Sequence, residues 1–292
     1  MQTENFKPTL SARVLTLEAG KAERHYWRDL WRYRELFTIL AWRDVSVRYK
    51  QTVIGVIWAI IQPVFNIIVG TVIFGSLAKL PTPGNVPYAL MVCAGMLPWA
   101  FFSNCLTTAS NSLVSNASLI TKVYFPRLIV PASAIVVSLI DFLITFVILL
   151  GIMAWYHFVP TWRMLTIPLF LIMGIIAALG PGLLLTALNV KYRDVRYIIP
   201  FIISAGQWVS PVYYSNELIQ HNFEKVFGSM GFLIYSLNPL VGIIDGFRWA
   251  ILGDVVTIYW PGFFLSSAIS LILLYIGVRY FRNTERRFAD TI

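Results

Sequence analysis

Charge is scarce in this chain. Only 13% of its 292 residues are Asp, Glu, Lys or Arg, against 58% apolar, too few ionic groups to solvate a water-soluble globule of this length. Cysteine is rarer still. Cys93 and Cys105 share one apolar stretch and lie about 18 Å apart along a helix, too far to bridge; they give no metal-ligand or thiol-nucleophile pattern. His25, His157 and His221 fall in three separate polar regions, without metal spacing or a Ser, His and acid grouping. A phosphate loop of the form G-x-x-x-x-G-K-(S/T) is missing, as are internal repeats and low-complexity tracts. No catalytic residue, metal site or cofactor is expected here. Work against a gradient then needs an ion gradient or another subunit.

Long apolar runs are abundant. A helix needs about twenty apolar residues to cross the hydrocarbon core, and six segments satisfy this: residues 53–78, 88–109, 128–155, 164–190, 197–214 and 260–280. The net charge of +9 comes from basic residues beside these runs, a footprint of membrane topology rather than of nucleic-acid binding. Of the 23 Lys and Arg, only Lys79, Arg163, Lys225 and Arg248 fall in the loops on one side. The positive-inside rule then puts both termini in the cytoplasm. The first fifty residues carry charges of both signs and no signal-peptide core. The expected fold is an all-α integral membrane bundle, with a cytoplasmic arm over residues 1–52 and a transmembrane domain over 53–292.

Two other stretches are informative. Trp27, Leu30, Trp31, Phe37, Leu40, Ala41 and Val45 recur at helical spacing, with Arg28, Arg32, Glu35 and Arg43 off that face. This predicts an interfacial amphipathic helix; a cytosolic helix packed on protein is the alternative. Residues 215–259 hold apolar runs too short to span, broken by Gly228, Gly231, Pro239, Gly242 and Gly246. They read as short re-entrant helices dipping into the outer half of the membrane before the last span.

Five stretches in order resemble a known family: LWRYRELFTILAWRDVSVRYKQTVIGVIWAIIQP (30–63), ASLITKVYFPRLIVP (117–131), LNVKYRDVRYIIPF (188–201), WVSPVYY (208–214) and LNPLVGIIDGFRWAILG (237–253). They are similar to the membrane subunit of bacterial ABC-2 exporters of lipid-linked polysaccharides such as O-antigen, capsule and teichoic acid. The resemblance implies a permease homodimer in the inner membrane, joined to two copies of a cytosolic ATPase subunit that binds ATP and Mg. It further implies that the first and fifth spans line a conduit and that the short helices form an outer gate. Lys122, Tyr124 and Arg127, in the second cytoplasmic loop, would then meet the ATPase, as would Tyr192, Arg193 and Asp194. Topology anchoring is the simpler reading of that last trio.

Asp141 sits near the centre of the third span, where a charged Asp costs roughly 2.5 to 3.5 kcal/mol. A structural hydrogen-bond role with Asn66, Asn104 or Gln207 is favoured over proton carriage. Among the aromatics, 15% of the chain, Trp58, Phe65, Phe201 and Trp208 are the conduit candidates, because sugar rings pack their C–H faces on aromatic faces. Tyr197, Tyr213 and Tyr214 fit an interfacial belt. An exporter of small lipophilic compounds and, less readily, a polyprenyl-dependent glycosyltransferase are the rivals. The second needs paired acids, and Glu217, Glu224, Asp245 and Asp254 are scattered.

Overall fold

The computed structural model describes residues 26–49, 53–192, 194–285 and 288. The arm over 1–25, Arg193 and both termini lie outside the described residues. Every regular element among the described residues is helical. Two helices, α1 (Tyr26–Arg32) and α2 (Arg34–Tyr49), precede α3 (Val53–Gly70), which continues as a π-helical turn over Thr71–Leu77. After a Pro-rich loop come α4 (Tyr88–Ser115), the short α5 (Ala117–Lys122), α6 (Ile129–Trp155), α7 (Ile167–Lys191) and α8 (Val195–Val209). The chain closes with α9 (Asn216–Phe227), α10 (Gly231–Tyr235), α11 (Pro239–Leu252) and α12 (Trp260–Glu285).

Five helical segments are long and apolar enough to cross a membrane: Ile57–Leu77, Tyr88–Ser115, Ile129–Trp155, Trp162–Lys191 and Trp260–Glu285. The all-α membrane fold expected from the apolar runs is thus present. Helix α8 is shorter than the run 197–214 suggests, because Ser210 precedes Pro211 and turns extended, with ψ 153°; a residue before proline is pushed out of the helical region. Helix α4 outlasts its apolar run instead. Ser110, Asn111 and Ser115 return hydrogen bonds to the carbonyls of Leu106, Thr107 and Asn111, which lets a polar segment stay helical.

The bundle is organised around α4, the most enclosed of the five, which packs against α6, α7 and α11 and at its margins against α3 and α8. Leu90, Leu97, Phe101, Phe247 and Ile251 belong to the main core. The tightest helix pair is α7 with α12. A Cβ on Gly180 would sit 2.6 Å from the backbone of Leu273 and Leu274, and one on Gly277 would strike the Gly180 carbonyl. Small residues that let backbones meet are the usual driving force for helix association in lipid.

A second apolar nucleus lies at the basic end, where Leu40, Ile120, Phe125, Leu183, Phe281 and Phe288 meet. The single amphipathic helix expected over Trp27 to Val45 is instead two, interrupted at Tyr33. Its apolar positions do not share one environment: Leu40 and Ala41 of α2 are buried against the bundle, while Trp27 and Trp31 of α1 are exposed, as is Trp42. The segment 215–259 forms three short α-helices, α9, α10 and α11, the first of them polar.

Candidate functional site

Helix α3 is the least enclosed of the five apolar spans, and its exposed face carries Trp58 (59% exposed) and Phe65 (62%). The exposed face of α8 carries Phe201 (71%) and Trp208 (57%). Each pair is separated by seven residues, two helical turns, so its members stand on one face about 10 Å apart. All four conduit candidates therefore project from the parts of the chain left bare by its own packing. At the charge-poor end Trp208 joins Phe74 and Tyr213, with ring centroids 6.3 and 5.6 Å away. Tyr213, a belt residue by position, is buried, accepting at its hydroxyl a hydrogen bond from Gln207 at 2.6 Å.

The break after α8 is held by Arg248, the one large charged side chain of α11 that is fully enclosed (2% exposed). Its Nη1 donates to the Tyr214 carbonyl at 2.8 Å and its Nη2 to that of Val212 at 2.9 Å. Room for this guanidinium depends on Gly95 of α4, whose Cβ would lie 2.8 Å from Nη2. One turn earlier Asp245 accepts from the Asn216 amide at 2.7 Å and from the Tyr259 N–H at 3.0 Å. The stretch between α8 and α9, the start of α9 and the residue before α12 are thereby tied to α11. This knot was not legible as a site in the sequence, where Asp245 and Arg248 are two isolated charges three residues apart.

The basic end carries the surface proposed for coupling. Lys122 and Tyr124 are exposed at the end of α5, with Ile120 and Phe125 anchoring the segment from below. Arg127 faces inward instead. Its backbone N–H donates to the Glu285 carboxylate at 2.6 Å and its Nη1 to the Glu285 carbonyl at 2.5 Å. On the same side Arg282 covers the Tyr26 ring at 4.7 Å; burial, aided by the Glu285 charge, pushes the Tyr26 phenol up, which keeps it neutral. Tyr192 and Asp194 are exposed at the α7–α8 turn, with the Lys191 ammonium over the Tyr192 ring at 4.8 Å. Arg193 lies outside the described residues.

Asp141 is buried in α6 and fully engaged. Arg48 pairs with it at 2.7 Å, the Tyr49 hydroxyl donates to it, and the Asn104 amide donates at 3.3 Å. Asn104 is among the partners expected from the sequence; Arg48 and Tyr49, from the end of α2, are not. Asp254 touches the Arg163 guanidinium, which also covers the Trp249 ring at 4.9 Å.

The described chain is an arm of two helices on a bundle with five apolar helical segments, with short helices before the last of them. The sequence profile described as ABC-2 type transporter matches residues 35–252. The chain belongs to that family. Among similar ABC-2 proteins is the "O-antigen export system permease protein RfbA" of Myxococcus xanthus, 26% identical over 91% of this chain and 98% of the relative. Its namesake in Klebsiella pneumoniae is 25% identical over 88% of this chain and 95% of its own. The "Polysialic acid transport protein KpsM" of Escherichia coli is 22% identical over 83% of this chain and 91% of its own. The ABC-2 match spans α2 through α11, so it takes in the exposed aromatic residues of α3 and α8, the loop around Lys122 and Tyr124, and the Arg248 knot.

Proposed function

We propose that this chain is the permease subunit of an ABC exporter that carries a lipid-linked polysaccharide of the O-antigen type across the bacterial inner membrane. It works as a homodimer with two copies of a separate cytosolic ATPase subunit, which holds ATP and Mg and performs the hydrolysis. The chain itself is a gated conduit. The observation that carries this reading is the bare aromatic face of α3 and α8. Four large exposed rings, two on each helix at two-turn spacing, fit a wall between two copies along which sugar rings slide without fixed hydrogen-bond geometry. The names of the relatives support the same substrate class.

In this arrangement both termini are cytoplasmic, and α8 with the extended stretch after it makes the sixth crossing. Such non-helical backbone suits membrane depth only where protein or a water-filled path lines it. The exposed edge around Lys122 and Tyr124 receives the ATPase, and Tyr192, Arg193 and Asp194 flank that contact. The test is surface polysaccharide in cells with and without the permease, combined with ATP hydrolysis of the purified complex. An undecaprenyl-linked glycan raises hydrolysis under this reading; stimulation by small amphiphiles alone points to a drug-type exporter.

A further inference from the structure

Between α9, α11 and the strand-like stretch before α12 lies a cavity of about 130 Å³. It opens beside exposed Glu217 and is floored by Asp245 and Arg248. Two buried polar atoms in its lining residues have no partner: the Arg248 Nε–H, a donor, and the Asn216 Oδ1, an acceptor. Buried polar groups rarely go unpaired, because each costs about 1 to 3 kcal/mol. The knot that fixes these two lining residues leaves this donor and this acceptor without partners.

The volume is about ten times the roughly 10 to 15 Å³ that one water needs, and near the roughly 150 Å³ of a cavity that admits benzene. One wall is aromatic, with Phe232 and Tyr259 edge to face at 5.0 Å. The floor carries one acid and one base, and the rim adds the carboxylate of Glu217, so an anion is disfavoured. A hydroxyl donates and accepts at once, which matches the leftover acceptor and donor. We propose that this cavity is a subsite for a single neutral pyranose unit. It lies on the charge-poor side, beside the outer end of α8, where a glycan leaving the conduit reaches it. The assignment rests on the polysaccharide-export reading and deepens it.

Saturation-transfer NMR on the purified permease–ATPase complex tests it, with methyl α-glucoside, methyl α-mannoside and N-acetylglucosamine as probes and gluconate as the anionic control. Arg248 variants risk misfolding, so the cavity is closed from its mouth by Glu217→Trp and separately by Gln220→Trp, both on α9 and away from the buried floor. The expected result is transfer to at least one neutral sugar in the wild type, reduced to the control level in both variants while yield and basal ATP hydrolysis of the complex are unchanged. Transfer that persists in both variants places the sugar elsewhere and overturns the subsite. So does transfer to gluconate alone, or to none of the probes, which would leave ordered water in the cavity. Export is scored separately in cells: surface polysaccharide independent of this chain sinks the permease reading, whereas dependence on it with no sugar transfer sinks the subsite alone.

Discussion

Arg48, the next-to-last residue of α2, reaches 2.7 Å from Asp141 at the middle of α6. The interfacial arm is thus latched to a transmembrane helix by an ion pair that also takes in Tyr49 and Asn104.

Asp141→Asn keeps the shape and most of the hydrogen bonding while removing the charge. Export should persist, and assembly should be near normal. Because the Arg48 side chain is partly exposed, a double-mutant cycle with Arg48→Met should give a coupling of only about 1 kcal/mol. Cys93 and Cys105 are free and buried, so their reaction with a thiol-reactive dye on heating reads the loss of fold. Lost export with normal assembly, at a rate that follows the proton gradient, would make Asp141 a proton carrier instead.

At the α7–α12 crossing, Gly277→Ala is expected to be costly although it adds one methyl group. The new Cβ meets the Gly180 carbonyl, which is backbone and does not swing aside. A loss of about 1 to 3 kcal/mol follows from overpacking, seen as a lower dye-detected melting temperature. Gly151→Ala, where the added carbon meets nothing within 4 Å, is the matched control and should change little. Equal behaviour of the two variants contradicts the packing described.

These features differ in how far the sequence shows them. The long spans were legible because lipid demands unbroken apolar length, and Asp141 because a charge in such a run is conspicuous. Its partner Arg48 was not, since nothing along the chain says that the end of α2 folds back onto α6. The end of α8 was misjudged because hydropathy continues through residues 210–214 while Pro211 breaks the helix. The sequence does not join Asp245 and Arg248 into one site, because their partners are mostly backbone groups, the carbonyls of Val212 and Tyr214 and the N–H of Tyr259, which carry no sequence signal.

For coupling, single cysteines at Lys122 and Tyr124 should crosslink to the ATPase subunit in the assembled complex. Arg127 faces Glu285 rather than solvent, so a cysteine there should crosslink poorly, and Arg127→Ala should loosen the loop and weaken ATPase stimulation without abolishing assembly. Crosslinks confined to Tyr192 and Asp194 would move the main contact to the α7–α8 turn.

Topology is open to an equally direct check. In a background lacking Cys93 and Cys105, a cysteine replacing Asn85 should react with an impermeant thiol reagent in intact spheroplasts, and cysteines replacing Gln2 or Ile292 should not. Labelling at either terminus refutes the arrangement with both ends in the cytoplasm.

If the bare rings of α3 and α8 guide glycan, their replacement by Leu impairs export. Trp58→Leu, Phe65→Leu, Phe201→Leu and Trp208→Leu each keep an apolar side chain but remove the flat face on which a sugar packs. Three of these rings have no ring partner among the described residues, and Trp208 has Phe74 and Tyr213, so folding should suffer little at the first three and modestly at the fourth. The measurement is surface polysaccharide in cells carrying each variant, normalised to folded permease in the membrane and to basal ATP hydrolysis of the purified complex. Export is expected to fall beyond any loss of folded protein. Undiminished export in all four variants would contradict that role of the rings.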